Sequence, residues 1–557
     1  MSTSHQHIFR KTKRLKALSI GFLLLFDKIG VLKYIVPIVN KIVKFFGVKK
    51  ELNENLNYRI YAKSFENAFL SNETNKSEQK KALFFFTMGS ESSYLLRQLI
   101  IAKYLESLHW KVEFLCCTGF TNACNKERIG KSQEDTPFMC SECSWGYSYI
   151  QEKTKVPINY LEKKKLDPDE VDKITSLSSI EECINYQTKE QIPLGEITKV
   201  NVLRYFYQGT FYDTNDELKI YKKYLLGTLQ ATKSIESYLS SHKIDLVLTM
   251  NGSGNLDQSM IYFTQKQGIN YITQESFIGT NSWIYKKNGI AIHLDFISEW
   301  KKYGSKLSEV ERNKLHEFLF RIKKGEVYST KLHDSEIGEL TLKKGVTLFT
   351  NMNFDTYVLG RNSLFSSMEN WLIETITFWK ENVKEIPLYI RAHPGEYKMA
   401  TPAVKFTRDI VNHLLSDTII LIDSNSDINS YSLVLNSHYV ITYSSTIGVE
   451  AMMMNVPCIS AGEAFYKPFA IAPQNKLAYF DILEKMNENP RIFPIHEAQL
   501  ESYLYYLYFI QTTHFKGFDI NRAISKIELV NLGNYEKLVE INKEILDAFY
   551  NQCVIDE

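Results

Sequence analysis

Two short strings in the second half of this 557-residue chain carry residue types suited to holding an anion. In Leu388-Tyr-Ile-Arg-Ala-His-Pro394 an apolar, strand-like run delivers Arg391 and His393 to its carboxyl end, and Pro394 stops it. Residues two apart on a strand share a face, so guanidinium and imidazole are expected to emerge together. That pairing suits a phosphate or phosphosugar. The plainer reading is a structural arginine beside a capping histidine. In Tyr439-Val-Ile-Thr-Tyr-Ser-Ser-Thr-Ile-Gly-Val-Glu450 a second buried strand runs into Ser444, Ser445 and Thr446 and then into a helix. Small hydroxyl residues at a helix start cap it and leave backbone N–H groups for an anion. An ordinary capped helix is the alternative. Glu450 lies just over a turn into that helix, where it could accept hydrogen bonds from ribose hydroxyls, and Gly448 permits close approach.

The first half offers a different chemistry. Met88-Gly-Ser-Glu-Ser-Ser93, Asn251-Gly-Ser-Gly254 and Thr273-Gln-Glu-Ser276 each follow an apolar run. Glu275 is the candidate acid/base, because a carboxylate at a strand end can take a hydroxyl proton. A simple ion pair with a neighbouring Lys or Arg competes with that reading, and Asp423 and Asp427 are rivals. Cys116, Cys117, Cys124, Cys140 and Cys143 fall within 28 residues. Cys140-Ser-Glu-Cys143 has zinc-knuckle spacing, so Cys116, Cys124, Cys140 and Cys143 form a candidate structural zinc site; an iron–sulfur cluster and plain thiols stay open.

The elements that must position these groups alternate. Short apolar runs at Ala82–Thr87, Lys111–Cys117, Asp245–Met250, Tyr271–Gln274 and Ile290–Leu294 read as strands, and a second series restarts at Val346–Thr350, Leu388–Ala392, Thr418–Ile422, Tyr439–Thr442 and Cys458–Ser460. They are near-continuously hydrophobic, as parallel strands covered on both faces must be. Helical patterns between them, such as Ser92–Leu108, imply βαβ crossovers. The fold class is therefore α/β, with two doubly wound, Rossmann-like domains whose strand ends face one another across a cleft. The expected division is a basic segment at 1–70, a first domain at 80–325 with a Cys-rich insert at 116–143, a second domain at 340–485 and a helical tail at 486–557.

Charge is uneven. Residues 1–50 hold eleven Lys/Arg and one acid, Asp27, leaving −8 of the overall +2 for the remainder. An acidic body is a poor general binder of nucleic acid. The largely apolar ten-residue run Ala17–Phe26 falls well short of the ~20 that span a bilayer, and no small-residue cleavage site follows it. With Lys spaced among further apolar residues, the segment suits an amphipathic helix lying on an anionic membrane surface; a helical hairpin packed on the protein itself is the other reading. The expected location is cytoplasmic, peripheral at the inner face of the plasma membrane, in a reducing compartment.

The pairing of R-x-H-P at Arg391–Pro394 with T-x-S-S-T-x-G-x-E-A at Thr442–Ala451, followed by P-x-I at Pro457, resembles the carboxyl-terminal domain of bacterial capsule polysaccharide biosynthesis proteins. That group includes Kdo transferases. More distantly the strings are similar to those of sialyltransferases of GT-B fold and of UDP-N-acetylglucosamine 2-epimerase. The resemblance covers about 345–465 well and 82–300 faintly. It implies a GT-B architecture and a glycosyltransferase that moves a sugar from a nucleotide-activated donor, CMP- or UDP-linked, to a growing and lipid-linked surface glycan. It further implies that Arg391, His393, Ser444, Ser445 and Thr446 hold the donor phosphate, that Glu450 addresses the ribose, and that Asn353 lies on the donor side. No cofactor is required for the chemistry. Where Kdo transferases carry Gln-Glu-Pro, this chain has Gln274-Glu-Ser276. A nucleotide-sugar 2-epimerase, a polyol-phosphate transferase and a non-catalytic capsule assembly protein are the alternatives on the same scaffold.

Overall fold

The computed structural model describes residues 80–89, 92–117, 119–121, 123–129, 143, 147, 156–278, 282–304, 306–324, 337–361, 364–398, 405–516, 518–521, 526–529 and 535–555. The basic segment 1–70 and Cys140 lie outside these residues.

Two parallel sheets with the same winding organise the chain. In the first half β1 (Lys81–Phe86), β2 (Lys111–Cys116), β3 (Ile158–Tyr160), β4 (Leu246–Leu248) and β5 (Asn270–Ser276) lie in the order β3-β2-β1-β4-β5. β6 (Ser282–Lys287) extends that sheet antiparallel to β5. In the second half β7 (Gly345–Phe349), β8 (Leu388–Arg391), β9 (Ile419–Ile422), β10 (Ser437–Thr442) and β11 (Cys458–Ser460) take the order β9-β8-β7-β10-β11, all parallel. Each half thus reverses its winding beside its own first strand, between β1 and β4 and between β7 and β10. In open α/β sheets such switch points are where ligands bind, outside the carboxyl ends of the strands. The α/β fold class expected of the sequence is present, with a doubly wound parallel arrangement in each half.

Burial explains the strand composition. Ala82 to Phe86 are all inaccessible, because helices cover both faces of β1. Phe84 and Phe86 join the core under the Ser92–Ser107 helix, while Leu83 and Phe85 join the core under the long Asn215–Ser241 helix. That long helix starts in a capping box, with Thr214 and Glu217 satisfying each other's backbone N–H groups, a device worth about 1 kcal/mol.

Ile290–Leu294 is the exception among the expected strands. Residues Ala291–His293 form a 3-10 turn, Leu294 follows at φ 53°, and the place beside β5 goes to β6. Ala291 and Ile292 are apolar because they are buried, not because they pair in a sheet. The carboxyl-terminal helices Glu497–Tyr505 and Tyr535–Phe549 are present. Between them the chain crosses back to the first half, where β12 (Thr512–His514) pairs antiparallel with β6, and a hairpin of β13 (Phe518–Asn521) and β14 (Lys526–Leu529) follows. Leu546 and Phe549 then pack in the core beneath the Ser92–Ser107 helix.

The two halves share one core. Ile278, Leu294, Phe296 and Trp300 of the first half cluster with Tyr389, Val440 and Ile447 of the second, and Leu500–Tyr508 of the tail seal the seam. Trp300 donates its indole N–H to Ser502 Oγ at 3.0 Å, fixing the tail helix on that seam. Among the described residues no helix is long and apolar enough to cross a membrane.

Candidate active site

The carboxyl ends of β8, β7 and β10 are tied together side by side. β7 is central, and the residue after it, Thr350, accepts the His393 backbone N–H on its Oγ1 at 3.0 Å. Its neighbour Asn351 accepts the Ser444 backbone N–H on Oδ1 at 3.2 Å. His393 and Ser444 therefore flank one strand, about 10 Å or two strand spacings apart across the sheet. The Gly395 N–H donates to His393 Nδ1 at 3.0 Å, which puts the ring proton on Nε2. Two polar atoms in this cluster are buried without a partner among the described residues: Ser444 Oγ and Asn353 Oδ1, on side chains 2% and 4% exposed. A buried polar atom left unmet costs about 1–3 kcal/mol, so such atoms mark a place where something else binds.

Ser445 and Thr446 lie on the open side of the same turn, half-buried and exposed. Tyr466 holds the turn: its hydroxyl donates to the Ser445 carbonyl at 2.5 Å and lies 3.0 Å from Thr442 Oγ1. Gly448 is small for this reason, since a Cβ there would meet the Tyr466 hydroxyl at 2.4 Å. The close approach anticipated at Gly448 is thus made by the protein itself.

Arg391 and Glu450 sit elsewhere. Arg391 is 2% exposed; its Nη1 donates to the Asp423 carbonyl and its Nε lies 3.5 Å from Ser430 Oγ. Burial lowers its pKa to about 10, partly offset by the charge of Asp423. Glu450 is also buried, which raises its pKa to about 7, while a Tyr431 hydrogen bond and the Lys323 charge oppose the shift. Ser430 and Tyr431 open the Ser430–Leu435 helix, so both side chains brace that helix start. The Arg391 guanidinium and the His393 ring do not emerge together.

The facing wall comes from the first half. Glu275, at the end of β5, accepts four hydrogen bonds: Tyr94 OH (3.1 Å), Ser276 N (2.7 Å) and Ser276 Oγ (2.9 Å) on Oε1, and Asn251 Nδ2 (2.7 Å) on Oε2. It is held by hydrogen bonds from neutral groups rather than by the simple Lys or Arg pairing. Arg204, in the last turn of the Leu194–Phe206 helix, feels the charges of both Glu275 and Asp355, and burial lowers its pKa to about 10. Asp355 belongs to the loop after β7. Its Oδ1 accepts the Tyr357 N–H at 2.9 Å; burial and the Glu275 charge raise its pKa, against that hydrogen bond and Arg204. Arg204 and Asp355 are surrounded by protein yet keep some accessible surface, and Glu275 is half-buried near them, as expected of groups lining a cleft. Behind Arg204, Asp257 accepts Thr249 Oγ1 at 2.8 Å, and burial raises its pKa to about 6.

The halves close on one another beside this cleft. The Tyr207 ring meets Phe354 edge-on at 5.0 Å. A Cβ on Gly209 would lie 2.9 Å from the Asn353 carbonyl. Tyr212 OH donates to Glu369 at 2.6 Å, and Lys405 joins the same carboxylate at 2.6 Å. Arg204 and Asp257 carried no sequence signal: each is a single charged residue inside a helical pattern.

The cysteines divide. Cys116 is buried, its thiol pKa pushed up by burial and by Cys117 and Cys143. Cys124 lies with Tyr224 and Arg128, and its carbonyl accepts Tyr224 OH at 3.1 Å. Among the described residues no three His, Cys, Asp or Glu side chains gather as a metal ion requires, and Cys140 lies outside them.

Residues 291–511 match the family model described as capsule polysaccharide biosynthesis protein. The resemblance read from the two strings therefore falls where the family model falls. Among solved structures, the chain is similar to KpsC of Thermosulfurimonas dismutans, a beta Kdo 2,4 transferase, at 14% identity over 54% of this chain and 87% of that one, with a TM-score of 0.32. Its beta Kdo 2,7 transferase gives 11% identity over 56% and 90%, with a TM-score of 0.31. UDP-GlcNAc 2-epimerase from Neisseria meningitidis bound to UDP-GlcNAc gives 13% identity over 84% and 99%, with a TM-score of 0.23. A search of curated proteins returns no match.

Proposed function

We propose that this protein is a glycosyltransferase of capsule-type polysaccharide synthesis, moving a sugar from a nucleotide-activated donor to a growing glycan. The observation that carries the reading is the polar cluster at the ends of β7 and β10: Ser444 Oγ and Asn353 Oδ1 are buried and have no hydrogen-bond partner among the described residues, beside His393 and near Asp355, which feels the charge of Glu275 from the other half. The match of residues 291–511 to capsule biosynthesis proteins supports it. The donor, CMP- or UDP-linked, lies against the second sheet with its phosphate between His393 and the Ser444–Thr446 turn. The acceptor lies against the first. As the bond to the leaving phosphate breaks, the imidazole N–H, the serine hydroxyls and the backbone N–H groups of the turn stabilise the charge that develops there. Arg391 supports this indirectly, by holding the strand end and Asp423 in place. The basic segment 1–50 brings the enzyme to an anionic membrane, where a lipid-linked acceptor is found.

The test is transfer by His393→Ala and Ser445→Ala. Each is expected to lower kcat by about 10²–10³, the usual effect of losing one donor to a developing anion, with an unchanged unfolding temperature. Wild-type turnover in both variants would refute the assignment.

A further inference from the structure

The candidate base read from the sequence, Glu275, has donors on both carboxylate oxygens. Three donors converge on its Oε1 and a fourth on Oε2, from Tyr94, Ser276 and Asn251. A group that must accept a proton in the transition state needs a lone pair aimed at the substrate. Asp355 has one. Only the Tyr357 N–H reaches its Oδ1, and Oδ2 has no partner among the described residues. The loop that carries it is pinned on both sides, because Phe354 abuts Tyr207 and Asn353 abuts Gly209. Asp355 is thereby held on the cleft wall, adjoining the donor-side Asn353 and facing Glu275 and Arg204 from the first half.

We infer that Asp355 is the general base of the transfer reaction and that Glu275 is a positioning residue. The inference rests on the glycosyltransferase reading. In the step, Asp355 Oδ2 takes the proton of the acceptor hydroxyl, and that oxygen forms the new bond to the anomeric carbon. The bond from that carbon to the donor phosphate breaks, and the electron pair leaves with the nucleotide. Glu275, held by its four donors, makes the facing aspartate a stronger base through its charge. Two carboxylates in contrasting surroundings are the usual arrangement for separating such roles. Burial and the Glu275 charge raise the affinity of Asp355 for a proton, while the Tyr357 N–H and Arg204 oppose them. Asp257 lies behind Arg204 and Arg361 beyond Tyr357, completing the charged surroundings.

The experiment measures nucleotide release from CMP-Kdo and from UDP-N-acetylglucosamine, with glycolipid extracted from cells that make the protein as acceptor. Wild type, Asp355→Asn, Asp355→Ala and Glu275→Gln are compared, and CMP and UDP binding is followed by thermal shift. Asp355→Asn is expected to lose about 10²–10⁴-fold in kcat, the range for a general base, with unchanged nucleotide binding. Formate is expected to restore part of the turnover of Asp355→Ala. Glu275→Gln is expected to keep the acid limb of the pH–rate profile but move it to lower pH, because the charge that raises the Asp355 pKa is gone. Asp355→Asn turnover within threefold of wild type, or an acid limb lost in Glu275→Gln instead, overturns the assignment of the base and leaves the transferase reading standing. Failure of the wild type to turn over either donor, with no thermal shift by CMP or UDP, overturns both.

Discussion

Ser444 makes a prediction that separates binding from stability. Its hydroxyl has no partner among the described residues, so removing it breaks no hydrogen bond among them. Ser444→Ala is expected to leave the unfolding temperature unchanged or slightly raised, and to weaken nucleotide binding about tenfold, the worth of one hydrogen bond near 1.4 kcal/mol. Titration calorimetry beside a melting curve checks both halves, and a destabilised variant with normal affinity contradicts it. Residue types and spacing were enough to nominate His393 and Ser444, because strand ends and a hydroxyl-rich turn can be read locally; Asn353 came from the family resemblance alone. They were not enough for Arg391. A guanidinium at a strand end looks the same in sequence whether it faces a ligand or reaches the Asp423 carbonyl. Arg204 and Asp355 become a pair only through tertiary contact, so no local pattern could single out the pair.

At the scale of elements, the turns around the site are braced by groups that titrate. Burial raises the pKa of Glu396 to about 7, although Thr407 donates both its N–H and its hydroxyl to that carboxylate, and Glu450 also stands near 7. An unfolded glutamate titrates near 4.3, so between about 4.3 and 7 the folded state binds more protons than the unfolded one. Stability must then fall as pH rises through that window, by roughly 2–3 kcal/mol per group. Chemical denaturation of the wild type at pH 5 and pH 8 is expected to show the loss, and Glu396→Gln is expected to shrink it; a stability that rises over that window contradicts this. A second element-scale prediction concerns the inter-domain contact at Gly209. Gly209→Val places branched atoms where a Cβ alone would already lie 2.9 Å from the Asn353 carbonyl, so the halves must part. Transfer is expected to fall at least tenfold while far-ultraviolet circular dichroism stays unchanged, and wild-type turnover contradicts the contact. The strands themselves were legible, since continuous burial leaves a continuous apolar run. Ile290–Leu294 was not, because an apolar run buried under a loop carries the same signature.

At the scale of the whole molecule, the repeated strand order places two switch points in one chain and the tail holds the halves in register. β12 pairs with β6 and Tyr503 donates to the Leu294 carbonyl at 3.2 Å on the first half, while the Tyr503 ring packs against Phe469 of the second at 5.2 Å. Deleting residues 512–557 uncovers β6 and the core beneath the Ser92–Ser107 helix. The unfolding temperature is expected to drop by several degrees with increased aggregation, and an unchanged melting curve contradicts that role for the tail. Two α/β halves could be read from the restart of the strand series after residue 344; the return of the tail could not, because a three-residue edge strand is too short to show a period. The central claim is that both halves serve one anion pocket. A structure of the protein with CMP or UDP bound tests it most directly. The nucleotide phosphate is expected within hydrogen-bond reach of Ser444 Oγ and the His393 ring, open toward Asp355 and Glu275. A nucleotide bound away from those strand ends, or a pocket that stays empty at millimolar nucleotide, contradicts it.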